Sequence, residues 1–279
     1  MLRLRHATVG GAERDALRCA HPARAGGPAA FAVALALLFA ASAAATVLGC
    51  AAMASHAQPM PGGWMLSAMD MPMCGQGAVG GLLAFAAMWL AMTVAMMLPS
   101  LAPALWRYRS MLDHARVPHA DRLLVSAGAG YFATWLVVGI VLCVLGDGAG
   151  DLMLQRPAWS RAMPALGGAT VIIAGMAQFS AWKRHHLACC RAAFAHDDPA
   201  VRGIDAWHDG VRLGLHCNAA CANLTAVLLV LGVMDLRAMA LVAAAITAER
   251  LAPRDANVVR SVGVVLVGVG ACVLGQALA

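Results

Sequence analysis

From Phe31 to about Ala52 the chain carries no charged residue, and a helix of that length crosses a hydrocarbon layer ~30 Å thick. Backbone polar groups in lipid must be satisfied within the segment itself, which a helix does. Further apolar runs follow at about 78–105, 123–145, 165–182, 211–234, 236–250 and 258–278. The composition agrees: 61% of residues are hydrophobic and 12% charged, far more apolar surface than a soluble chain of 279 residues needs for its core. The expected fold is an all-α, polytopic integral membrane bundle of about seven transmembrane helices. It would form one domain, 28–279, behind a basic tail, 1–27.

A cleaved leader competes for the first run, because S-H-A-Q-P near Ala57 resembles a small-residue cleavage site. The arginine-rich segment before it is too long, and the apolar run exceeds a usual h-region, so a retained helix is expected. The sixth run is the shortest. Its clean apolar part ends near Ile246, bracketed by Asp235, Arg237 and Glu249, so it reads as a full crossing or a re-entrant segment.

With seven spans, 17 of the 20 Lys and Arg fall on the N-terminal side of the membrane, leaving Arg156, Arg161 and Arg237 on the other. Basic loops stay in the cytoplasm, so the N-terminus is expected inside, in a bacterial inner membrane. The net charge of +6 is then a topology signal with affinity for an anionic bilayer, and no nucleic acid is implied.

Chemistry concentrates between Lys183 and Cys221. This stretch opens with K-R-H-H-L-A-C-C-R and closes with G-L-H-C-N-A-A-C-A-N-L. Thiolate with imidazole is the ligand set of a soft or borderline metal. On a helix His185 and Cys189 stand at i and i+4, as do His186 and Cys190, and Cys217 and Cys221 repeat the spacing. Parallel side chains of that kind suit two ligands converging on one ion better than they suit a disulfide. The expected ligands are His185, His186, Cys189, Cys190, His216, Cys217 and Cys221. Taken singly, each cysteine would more often be a small buried hydrophobe. Two clusters at ligand spacing favour the metal.

A weaker set is methionine. Met69, Met71 and Met73 lie in a segment, 53–77, with no Lys or Arg, where a thioether has no obvious core to fill and could hold Cu(I) in an oxidising compartment. Lipid-facing filler is an equally good account of them. Met88, Met92 and Met96 form one helical stripe, a spacing more often used for packing than for a cofactor path. Pro99 and Pro103 are expected to kink or end that helix. Asn218, Asn223 and Thr225, inside the fifth run, should face the bundle rather than lipid.

Three motifs in order, M-W-L-A-M-T-V-A-M-M-L-P-S, the Lys183 to Arg191 run, and G-L-H-C-N-A-A-C-A-N-L followed by G-V-M-D-L-R-A-M-A-L-V-A-A-A-I-T-A-E-R-L, resemble the bacterial family of predicted metal-binding integral membrane proteins, an uncharacterised domain often labelled copper-chaperone-like. The resemblance covers roughly Gly77 to Pro253. The family pattern often has Cys where this chain has His186 and Trp where it has Ala222, and it matches at Cys190, Cys217 and Cys221. It implies metal handling in the bacterial inner membrane.

Together these readings predict a non-enzymatic membrane protein that handles a soft metal, Cu(I) first and zinc second, as a chaperone or permease with a metal-donor or acceptor protein as partner. Two other classes compete: a membrane thiol-redox enzyme and a structural subunit without metal. No C-x-x-C, quinone or haem motif supports the redox reading, and no P-loop or phosphorylatable Asp motif supports ATP-driven export.

Overall fold

The structure is a computed structural model, and it describes residues 27–54, 58–59, 65–66, 78–155, 157–194, 202–233, 235–252 and 257–278. Met69, Met71 and Met73 lie outside the described residues. Apart from a two-residue antiparallel ladder, β1 (Gln58–Pro59) with β2 (Met65–Leu66), the described chain is helical. The helices are α1 (Pro28–Ala54), α2 (Ala78–His114), α3 (Ala120–Gln155), α4 (Pro157–Ala177), α5 (Ala181–Arg191), α6 (Gly203–Leu231), α7 (Leu236–Leu251) and α8 (Val258–Leu278).

The contacts divide the chain into two units, Met1–Leu38 and Phe39–Ala279. Of the first, the described part is the opening of α1. Pro28 is its first residue, where a missing N–H costs nothing, and Val33 and Leu37 are exposed. In the second unit, Ser42 donates to Phe39 O and Thr46 to Ser42 O, so both hydroxyls are satisfied within the helix and need no water.

α2 does not end at its prolines. It runs through Pro99 and Pro103 to His114, and the Ser100 hydroxyl donates to the Met97 carbonyl. α3 and α6 pack at very short range. A Cβ on Gly210 would stand 2.0 Å from the Ala127 carbonyl oxygen, so only glycine allows the two backbones to meet there. α4 and α8 meet in the same way. Gly270 lies against Ile172, whereas Gly268 on the same helix faces open space and is not part of the contact.

Five helices, α1, α2, α3, α6 and α8, are long and apolar enough to cross a membrane. α4 and α5 form a sixth candidate as a broken pair, bent by 64° across Gln178–Ser180. Ser180 caps α5 by accepting from Lys183 N, which starts the new helix in its new direction. α7, at 16 residues, is shorter than a crossing. The described helices thus supply five spans, or six with the bent pair, where the sequence suggested about seven.

Exposed Leu82, Leu83, Val125, Val137, Val141, Ile173, Leu241 and Val264 coat the outside of the bundle, as lipid-facing positions should. The interior is unusually polar. Lys183, Glu249, Arg250, Gln178, Ser100 and Thr93 are all buried.

Candidate metal centre: a buried thiol cluster under an arginine

Four helices and the short α7 aim side chains at one point inside the bundle. α5 turns Lys183, Leu187 and Cys190 inward, one face of a helix at i, i+4 and i+7. α6 brings Cys217 and Cys221 on its buried face, with their sulfurs 3.9 Å apart. Cys190 is in hydrogen-bonding contact with Cys217. All three are free thiols and are 0–3% exposed.

Arg250 of α7 reaches into this cluster. Its Nη1 donates to Ser100 Oγ of α2 at 3.0 Å, to Tyr131 OH of α3 at 3.4 Å and to Cys217 Sγ at 3.5 Å. The Tyr131 hydroxyl in turn lies 3.0 Å from Cys217 Sγ. A guanidinium buried this deeply would ordinarily have a carboxylate partner, because burying a lone charge is expensive. Here it donates to a hydroxyl, a phenol and a thiol, which are groups that best satisfy a cation when the thiol is ionised.

The carboxylate next in sequence serves a different cation. Glu249 Oε2 pairs with Lys183 Nζ at 2.7 Å, both side chains being almost fully buried, and Glu249 Oε1 accepts from Gln178 Nε2 at 3.0 Å. Lys183 also donates to Asn223 Oδ1, and Asn223 Nδ2 donates to Ala174 O. Arg191 closes the arrangement by donating to the Glu249 carbonyl. This network ties α4, α5, α6 and α7 together and fixes the height of α7, hence the position of Arg250 over the sulfurs.

The seven Cys and His candidates therefore separate into two groups. Cys190, Cys217 and Cys221 form the buried cluster. The histidines lie farther out: His186 Nδ1 and His216 Nδ1 stand 3.0 Å apart across α5 and α6, and His185 Nε2 lies 3.8 Å from Cys189 Sγ. Trp182 packs on His186, with ring centroids 4.3 Å apart. His185 and Cys189 do share a helical face, as i and i+4 should, but it is the outer one. Among the described residues no three His, Cys, Asp or Glu side chains already surround a common ion position.

Met92 and Met96 turn inward together with Met97 and line a cavity of about 30 Å³ with Trp89, Trp135 and Thr225. Met88 fills the space left by Gly49 of α1, where a Cβ would stand 2.6 Å from its sulfur. Asn218 donates to Thr134 Oγ1 and Gly214 O, so both asparagines of α6 face the bundle as expected.

Sequence reasoning passed over Arg250, Glu249, Tyr131 and Gln178. Lys183 and Arg250 were counted as cytoplasmic loop charges, and both are buried. Without them 15 of the 17 basic residues in that count remain. The available signal was E-R at 249–250, two ionisable residues closing an apolar helix, since such groups in a bundle ordinarily have a task.

No curated protein and no solved structure matches the chain. A family model described as "PpoB2: Copper chaperone" matches residues 86–273, two thirds of the sequence, including every helix that contributes to the thiol cluster. The chain belongs to the PpoB2 copper-chaperone family.

Proposed function

We propose that this protein is a membrane-embedded copper chaperone that holds Cu(I) between Cys190, Cys217 and Cys221, with Arg250 as counter-charge. The observation that carries the reading is the sulfur spacing under a buried cation. Three thiolates on one ion at ~2.3 Å stand ~4.0 Å apart in a plane and ~3.8 Å apart at tetrahedral angles. The 3.9 Å between Cys217 and Cys221 falls between these values. Thiolates select soft ions, and Cu(I) is the softest of the common candidates. Charge supports the same ion. With two of the three cysteines ionised and the third bound as a thiol, the thiolates, one Cu(I) and one guanidinium sum to zero, the arrangement a low-dielectric interior favours.

In this reading the chain carries a metal and catalyses no reaction. It resides in the bacterial inner membrane with its N-terminus in the cytoplasm. A reporter enzyme fused after Ala200 would then be active on the cytoplasmic side, and activity on the outer side only would reverse the orientation.

Arg250→Met tests the counter-charge. Removing one partner of a buried charged set costs ~3–5 kcal/mol, so Cu(I) affinity should fall by about a hundredfold or more. Competition with a Cu(I) chelator reads this directly, and an affinity within about threefold of wild type would remove Arg250 from the site.

Met92 and Met96 have no such part. A cavity of 30 Å³ among Met92, Met96 and Met97 holds roughly two waters and reads as imperfect packing. Met92→Leu with Met96→Leu nearly conserves volume, so copper content should be unchanged. Loss of cellular copper accumulation in that variant, at equal protein abundance, would instead favour a permease.

A further inference from the structure

Beside the thiol cluster a second cavity, about 140 Å³, opens between α2, α5 and α7. Ser100, Arg107, Cys190, Arg191 and Arg250 line it, and none of the described lining residues is acidic. Arg107 is exposed at the mouth and donates to the Arg191 carbonyl. Arg250 and Cys190 are buried at the inner end. By volume it has room for about ten waters, more than one bare ion needs.

We propose that this cavity receives a small thiol bearing a carboxylate, which delivers Cu(I) as its thiolate complex. The inference rests on the copper-carrying reading above and adds the donor. Guanidinium groups recognise carboxylates through paired, charge-assisted hydrogen bonds, and Arg107 at the mouth is placed to take that end. The sulfur end of such a molecule then points inward to Cys190. Transfer is a ligand exchange. The donor's copper–sulfur bond breaks as one to Cys190 forms, and the Cys190 thiol proton passes to the leaving sulfur. Copper remains Cu(I) throughout, so no oxidant or reductant is needed.

Three donors of similar size separate the parts of this idea: Cu(I) complexed with mercaptoacetate, with 2-mercaptoethanol and with cysteamine, which are anionic, neutral and cationic. Loading of the purified full-length protein should be about tenfold faster from mercaptoacetate, the effect of one good hydrogen bond to a charged group. In Arg107→Gln the three rates should become equal, with the equilibrium Cu(I) affinity as in wild type. Acetate in excess should slow loading of wild type from mercaptoacetate and leave loading from 2-mercaptoethanol alone, a check that needs no variant. Equal rates from all three donors in wild type would overturn the proposal while leaving the copper site intact. A preference that survives Arg107→Gln would move carboxylate recognition away from this cavity. Failure to load from any donor would remove the copper reading and this inference with it.

Discussion

Cys217→Ser and Cys221→Ser should each weaken Cu(I) binding by roughly two to three orders of magnitude, and the double variant by little more than either alone. Structural metal sites of four ligands bind with ~10–16 kcal/mol, so a single ligand accounts for about 3–4 kcal/mol. The two sulfurs are 3.9 Å apart on successive turns of α6, and in this account they serve one ion. Once either is gone the two remaining sulfurs hold the ion less tightly, and a second loss has less left to remove. Strictly additive losses would mean that the two cysteines bind separate ions. Cys189→Ser provides the contrast. That residue lies on the outer face with His185, so its replacement should leave affinity within a few-fold of wild type. Cys190→Ser should behave like the α6 variants, because Cys190 faces inward and touches Cys217.

The second large effect is on stability rather than binding. Glu249→Ala strands the Lys183 ammonium, and also the Gln178 amide that donates to the same carboxylate, in a site with almost no exposure. Breaking a buried pair from one side costs ~3–5 kcal/mol, since the surviving charge has no counter-charge and keeps only the Asn223 amide oxygen as a partner. In a chain of this size that corresponds to a fall of about 10 °C in the unfolding midpoint, measured in detergent by the loss of helical signal. Lys183→Met combined with Glu249→Leu should recover most of the loss, because an apolar pair of similar volume has no desolvation penalty. If the single variant unfolded within about 2 °C of wild type, the pair would not be holding α5 against α7. The recovered double variant is useful in its own right. Should it fold but bind copper weakly, the network's role would be to position Arg250 rather than to stabilise the bundle.

Much of this architecture was legible in the sequence because lipid is a strict solvent. Five of the apolar runs became helices long enough to cross, and the asparagines inside the fifth run turned inward, as their cost in hydrocarbon requires. Helix ends were less legible. Pro99 and Pro103 suggested an exit near residue 105, yet α2 continues to His114, since a bundle can satisfy the carbonyls that proline frees. The spacing of the cysteines and histidines on α5 was correct as helical geometry, but spacing cannot say which face points inward. The 64° break at Gln178–Ser180 decides that, turning Cys190 into the bundle and Cys189 out of it. Arg250 was missed for a related reason. A charge near a helix end normally marks the membrane boundary, and only packing shows that α7 carries this one back to Cys217.

The central claim is that the buried thiols hold the metal, and X-ray absorption at the copper edge of the Cu(I)-loaded protein tests it most directly. The account predicts a first shell of two to three sulfur atoms near ~2.3 Å, which diminishes in Cys217→Ser and persists in His185→Ala and His216→Ala. A first shell of nitrogen, lost in the histidine variants and untouched in Cys217→Ser, would contradict it and move copper out to the His186–His216 pair.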